Sequence, residues 1–225
     1  ATVTVATTRP RLLLGGGNMD LALALQLEPQ PSGDGERLDP VRFAELTLRC
    51  REAKERLLAD DGPAEVKIGV APRGAQLVGG TRRAALDRDA AIATVVDGFF
   101  PVVGADARAA RARAGLVAFG LPFERDPAIT RHVAEFVARH AQATEIDAVL
   151  LNGGVLRAGR VRARLAEVIG GWQSRPPELL AGTDPELAVA IGAAHYGLSL
   201  GGIGRRIESR AARGYYVGIG DDPVS

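Results

Sequence analysis

The chain has 225 residues, 46% of them hydrophobic and 24% charged, with a formal net charge of +1. This length and composition are typical of one large or two small globular domains with a sizeable core. The nearly neutral charge predicts no nucleic-acid partner, and no apolar run reaches the roughly 18 residues of a membrane span. The single cysteine, Cys50, excludes an internal disulfide framework and favours a cytoplasmic location.

Alternating Val and Thr residues at the start of the chain predict a strand in a lead-in region (residues 1–14). Because the chain opens without Met, we expect it to be part of a longer protein. Three glycines follow Leu14, and a helix is expected from there through Leu27. Asp39 followed by Pro40 predicts the start of a second helix that runs to about residue 59, since Asp caps helices and Pro suits the first helical position. Its expected buried stripe is Phe43, Leu46, Cys50, Ala53 and Leu57, beside a second stripe of Arg51, Lys54, Glu55 and Leu58.

The next segments are predicted from turn and cap signals. Residues 65–71 and 75–80 predict a β-hairpin, and Thr81 predicts the cap of a helix over residues 82–96. Phe99 and Phe100 follow in an apolar turn, where we expect an adjacent element or a partner to cover them.

Two further helices are predicted in the middle of the chain. Residues 105–113, rich in Ala and Arg, are expected to be helical, with a solvated face favoured over a basic binding patch. Asp126 and Pro127 repeat the helix-start signature. The core face expected of that helix is Ile129, Val133, Phe136 and Val137.

A strand, a glycine turn and a helix organise the second half of the chain. Residues 148–151 are continuously apolar, as in a parallel strand buried on both faces. Gly153 and Gly154 then allow a sharp turn and the close approach of a ligand, and apolar residues recur at helical spacing from Val161. Open α/β sheets bind ligands at such a turn. From these residues alone, a glycine-rich connection without a ligand is an equal alternative.

Four short motifs follow one another along the chain. They are Leu14-Gly15-Gly16 with Asp20, residues 50–57, residues 151–157, and Asp184-Pro185-Glu186 with residues 188–194. Together they resemble the DnaK-type 70-kilodalton heat-shock protein chaperones of the actin-like ATPase superfamily. The resemblance implies an α/β fold. An actin-like, ribonuclease-H-like subdomain (105–200) would carry an inserted α+β subdomain (15–104), followed by a linker and the start of the next region (201–225).

The resemblance also implies a nucleotide site. Its residues would be Gly16, Lys54, Gly153, Gly154, Arg157 and Glu186, with the residue matching Arg157 packed on the adenine face. The ligand would be ATP or ADP, with magnesium in the full-length protein. The family's first phosphate loop, catalytic lysine and magnesium-site acids belong to a first lobe, so the resemblance assigns no catalytic or metal-binding residue to this chain.

Four positions depart from the family pattern. Arg51 stands where the family has Glu, Glu55 where it has Arg, and Leu58 and Val155 where it has Ser. The exchanged charges keep an i, i+4 ion pair feasible while they invert the polar edge towards the base.

The function implied is that of the nucleotide-clamping second lobe of a DnaK-like stress-response chaperone. ATP binding and hydrolysis would be coupled to a peptide-binding region, with co-chaperones and client peptides as partners and neither nucleic acid nor a membrane. One alternative is a sugar-kinase-like phosphotransferase of the same superfamily. Another is a pseudo-ATPase module that uses the fold for protein contacts, an alternative that the four departures keep open.

Overall fold

The computed structural model describes seven parts of the chain, namely residues 12–28, 38–70, 82–110, 126–140, 145–182, 184 and 187–204. The segments predicted as strands at residues 2–8, 75–80 and 215–219 lie outside these parts, as does Glu186. The chain divides into two compact units, one of residues 13–189 and one of residues 1–12 with 190–225. The described part combines helices with small sheets, which is compatible with the predicted α/β class.

The described residues form six α-helices and four strands. The helices are α1 (Gly16–Leu27), α2 (Pro40–Leu58), α3 (Arg88–Ile92), α4 (Ile129–His140), α5 (Gly159–Gly170) and α6 (Ala188–Leu200). The strands are β1 (Glu65–Val70), β2 (Arg82–Asp87), β3 (Ala148–Leu150) and β4 (Glu178–Leu180). A π-helical segment (Ala93–Asp97) continues α3, and a 3₁₀ turn (Gly154–Arg157) precedes α5.

The two helices predicted first are confirmed almost to the residue. Asp39 caps α2, because its Oδ1 accepts the N–H groups of Val41 and Arg42 at 3.1 Å each. The predicted apolar stripe of α2 is buried except for Phe43, which is partly buried. This stripe packs α2 against α1 and β1, so the two helices are held by one core.

The helix predicted over residues 82–96 is wrong in its first six residues. They form β2, antiparallel to β1, with Glu65 opposite Asp87 and Val66 opposite Leu86. Pairing with β1 and burial of Leu86 outweigh the helical propensity of this Arg- and Ala-rich segment. Asp87, rather than Thr81, then starts the helix by accepting the N–H of Ala90 at 2.7 Å.

The paired aromatics belong to the same core. Phe99 and Phe100 are both buried, which confirms that an adjacent element covers them. Val161 and Leu165 of α5 reach this core from the other side. The core therefore joins α1, α2, β1 and β2 to the helix that follows the glycine turn.

The predictions for residues 105–113 and for the core face of α4 need correction. Residues 105–110 are not helical, because the N–H of Ala110 is bound by Asp126 Oδ2 at 2.8 Å. The helix α4 begins at Ile129 rather than directly after Asp126. Its buried residues are Thr130, His132, Ala134 and Glu135, whereas the predicted face is only partly buried. The hydroxyl of Thr130 donates to Pro101 O at 2.7 Å, so this helix turns a polar face inward.

The predicted parallel strand is present, but it is not buried on both faces. β3 pairs in parallel with β4, and Leu150 is 61% exposed. Among the described residues β3 has only this one neighbouring strand, and most residues of the pair are exposed. Further along, residues 188–194 of the last sequence motif lie in α6 (Ala188–Leu200), none of whose residues is buried. In the parts of the chain that are described, no helix is both long and apolar enough to cross a membrane.

Candidate functional site

A buried ion pair joins α1 to α2. Lys54 is 4% exposed and Asp20 is 3% exposed, and Lys54 Nζ lies 2.5 Å from Asp20 Oδ1. The ammonium also donates to Gly16 O at 3.3 Å. Buried charges require such pairing, because each would otherwise lose its hydration without compensation. Gly16 and Lys54, which are 38 positions apart in the sequence, are thus brought into contact.

The same carboxylate meets a second cation and influences the only cysteine. Arg51 Nε lies 3.4 Å from Asp20 Oδ2, and its side chain is largely exposed. Burial, together with the negative charge of Asp20, raises the pKa of the Cys50 thiol to about 11. The thiol is therefore protonated at neutral pH and acts as a core side chain rather than as a nucleophile.

The glycine turn after β3 depends on one residue with positive φ. Gly153 has φ 117°, a region that favours glycine, whereas Gly154 begins the 3₁₀ turn without a positive φ. A Cβ atom at Gly153 or at Gly154 would meet no atom of the described residues within 4 Å, so both positions leave room for a close approach. The positive φ makes glycine a requirement at position 153 only.

The turn packs directly against the start of α1. Val155 Cγ2 would lie 3.1 Å from a Cβ atom at Gly16, which is tighter than most such contacts. Val155, Leu156 and Ala158 are partly buried against the hydrophobic core. The absence of a side chain at Gly16 therefore serves packing between α1 and the turn, in addition to any ligand.

A cleft of about 1000 Å³ separates α2 from the glycine turn. This volume is at the upper end of the range for small-molecule and cofactor sites. Its lining consists of Gly16, Gly17, Arg51, Glu52, Lys54, Glu55, Arg56, Leu58, Ala59, Asp60, Gly154, Val155, Arg157, Ala158 and Gly159. The lining mixes arginines with carboxylates, and Lys54 is already paired, so the cleft is not a strongly positive phosphate site.

Four of the six residues expected from the resemblance line this one cleft. They are Gly16, Lys54, Gly154 and Arg157. Gly153 shapes the turn from the adjoining position, and Glu186 lies outside the described residues. The motifs did not point to Asp60 and Gly159, because no local pattern links two residues 99 positions apart that meet only in the folded chain.

Comparison with known proteins assigns no family to the chain. No profile of a known protein family matches the chain, and no curated protein matches it significantly. In the described part of the chain, no three His, Cys, Asp or Glu side chains are grouped as a metal site requires. The cleft therefore offers packing surfaces, backbone groups and an arginine plane for an organic ligand.

Proposed function

We propose that this chain is the nucleotide-clamping second lobe of a DnaK-like chaperone ATPase, and that its cleft holds the adenosine part of ATP or ADP. The observation that carries the proposal is the cleft itself. Gly16 and Lys54 form one wall and Gly154 with Arg157 the other, from segments about 100 residues apart along the chain. The resemblance assigned these residues to one nucleoside site.

The chemistry of the walls suits a nucleoside better than a phosphate chain. Arg157 is exposed at the cleft and can place a planar cation over a purine ring, an interaction of about 0.5–2 kcal/mol. The open backbone at Gly154 allows a flat ring to approach closely. Phosphates and magnesium would be held by the first lobe, and ATP would then bias the two lobes and signal to a peptide-binding region.

Calorimetric titration with adenosine and with ADP tests this proposal. Arg157→Ala should weaken both by about 1 kcal/mol, roughly fivefold, with the fold unchanged. Arg160→Ala is the matched control, since Arg160 is exposed on α5 and does not line the cleft. If the wild-type chain binds neither ligand at millimolar concentration, also when joined to its own first lobe, the nucleotide proposal fails.

A pseudo-ATPase protein-interaction module is the second candidate. Lys54 is held by Asp20, and Val155 packs over Gly16, so these positions are satisfied without a ligand. The same titration separates the two candidates. Binding of adenosine favours the ATPase lobe, whereas a folded protein that binds neither adenosine nor ADP favours the interaction module.

A further inference from the structure

An exposed carboxylate in the cleft lining lies against the first residue of a helix. Asp60 follows α2 by two residues, and its side chain lies against Gly159, the first residue of α5. A Cβ atom at Gly159 would lie 2.6 Å from Oδ1 and 3.1 Å from Oδ2 of Asp60. Real Cβ atoms do not come this close, so only glycine at position 159 permits the contact.

Arg88 holds the backbone that carries Asp60. Its guanidinium donates to Ala59 O at 2.6 Å, to Asp60 O at 3.1 Å and to Gly62 O at 3.0 Å. The loop is also tight, since a Cβ atom at Gly62 would lie 2.2 Å from Arg56 O. The position of Asp60 at the cleft is thus set by three hydrogen bonds from Arg88, the first residue of α3, and by the tight loop that Gly62 permits.

The place of this carboxylate is electrostatically favourable. The residue before α5, Ala158, offers no side-chain cap, and a negative charge near a helix N-terminus is stabilising. Asp60 supplies that charge from across the cleft. A ligand group that reaches this end meets an acceptor of hydrogen bonds, and a phosphate meets a like charge.

We propose that Asp60 is a specificity-determining residue at the end of the cleft lined by Asp60 and Gly159. It accepts hydrogen bonds from donor groups of the ligand, such as an amine or sugar hydroxyls, and it keeps phosphates at the other end. Gly159 makes room for the carboxylate, and Arg88 is the positioning residue. The ligand preference rests on the proposed nucleoside site, whereas the contact between Asp60 and Gly159 does not.

The contact is tested without a ligand by a thermal double-mutant cycle. Alanine is a better helix former than glycine, so Gly159→Ala should raise the thermal midpoint when Asp60 is replaced by Ala. With Asp60 present, the new Cβ displaces the carboxylate, and the gain should be smaller by at least about 2 °C. Equal shifts in both backgrounds would overturn the contact.

The preference is tested by titration of Asp60→Asn with adenosine and with ADP. Loss of the charged acceptor should weaken both ligands by the same factor, about three- to tenfold. Asp61→Asn is the control, because Asp61 is the exposed neighbour that does not line the cleft, and both affinities should stay within about twofold. Gly159→Ala should reproduce the effect of Asp60→Asn.

Three results would contradict the preference. Tighter binding of ADP alone in Asp60→Asn would place the phosphates at this end. Unchanged affinities in that variant would remove Asp60 from recognition while the proposed function stands. A wild-type protein that binds neither ligand would overturn the proposed function and the preference together, and the thermal cycle would still decide the contact.

Discussion

Lys54 shows most clearly how a single residue is constrained by its surroundings. Its side chain is almost fully buried, and its ammonium is bound by Asp20 and by Gly16 O. A buried pair of this kind contributes little net stability relative to apolar residues, but removal of one partner leaves the other charge buried without full compensation. The pair therefore fixes the packing of α1 against α2 at the wall of the cleft that Gly16 and Lys54 form.

Lys54→Met should lower the free energy of unfolding by about 3 kcal/mol, because the buried Asp20 carboxylate then keeps only the largely exposed Arg51 as a partner. The double variant with Asp20→Leu should recover a large part of that loss, since no charge remains buried. Urea denaturation of both variants measures this difference. A double variant that is as unstable as the sum of the single ones would show that the pair is not coupled.

At the scale of elements, the turn after the π-helical segment anchors α5. Arg164 of α5 donates to Phe100 O at 3.1 Å and to Asp97 Oδ1 at 2.8 Å. Phe99 and Phe100 beneath it are buried in the shared core. The walls of the cleft thus keep their spacing through contacts that lie outside the cleft.

Phe100→Ala should therefore cost about 3–5 kcal/mol of stability, as expected for a large aromatic removed from a packed core. Val102→Ala is the matched control, because Val102 is 61% exposed two residues later and should change stability by less than about 0.5 kcal/mol. Chemical denaturation compares the two. Similar small effects for both would show that the aromatic pair is not part of the core.

The start of α4 carries a pH-dependent contribution through Asp126. Burial raises the pKa of this carboxyl, but the N–H groups of Ala110 and Ala128 and the Arg131 guanidinium together hold it below its ordinary value of 3.8. A lowered pKa in the folded state means that the stabilisation is present above pH 3.8 and is lost as the pH falls through the folded-state pKa.

Asp126→Asn should accordingly destabilise the protein at neutral pH, and the difference from wild type should shrink as the pH falls below 3.8. Urea denaturation over a series of pH values from neutral to acid measures it. Asp61→Asn, at an exposed position, should change the stability at neutral pH by less than about 0.5 kcal/mol. A difference that stays constant with pH would assign the effect to packing rather than to ionisation.

For the whole molecule, the proposed function places only one side of a nucleotide site in this chain. Phosphoryl transfer requires phosphates and metal held from both sides. The 225-residue chain by itself should therefore fold but release no phosphate from ATP above a buffer blank. A malachite-green assay on a preparation free of contaminating ATPase measures it, and phosphate release at a rate that survives repeated purification would contradict the proposed division of labour.

The sequence by itself determined the elements whose signals are local. The Asp39 cap, the apolar stripe of α2 and the strand, glycine turn and helix from residue 148 all depend on neighbours a few positions apart, and the structure contains each. The resemblance named Gly16, Lys54, Gly154 and Arg157 as candidate site residues, and all four line one cleft.

Only the tertiary structure decided the features that depend on distant partners. Residues 82–87 are a strand because β1 lies beside them, and residues 105–110 are not helical because Asp126 binds the N–H of Ala110. The pairing of Lys54 with Asp20 and the contact of Asp60 with Gly159 follow from chain packing. Propensity is a preference of about 1 kcal/mol or less per residue, so pairing, burial and charge neutralisation override it wherever the fold brings partners together.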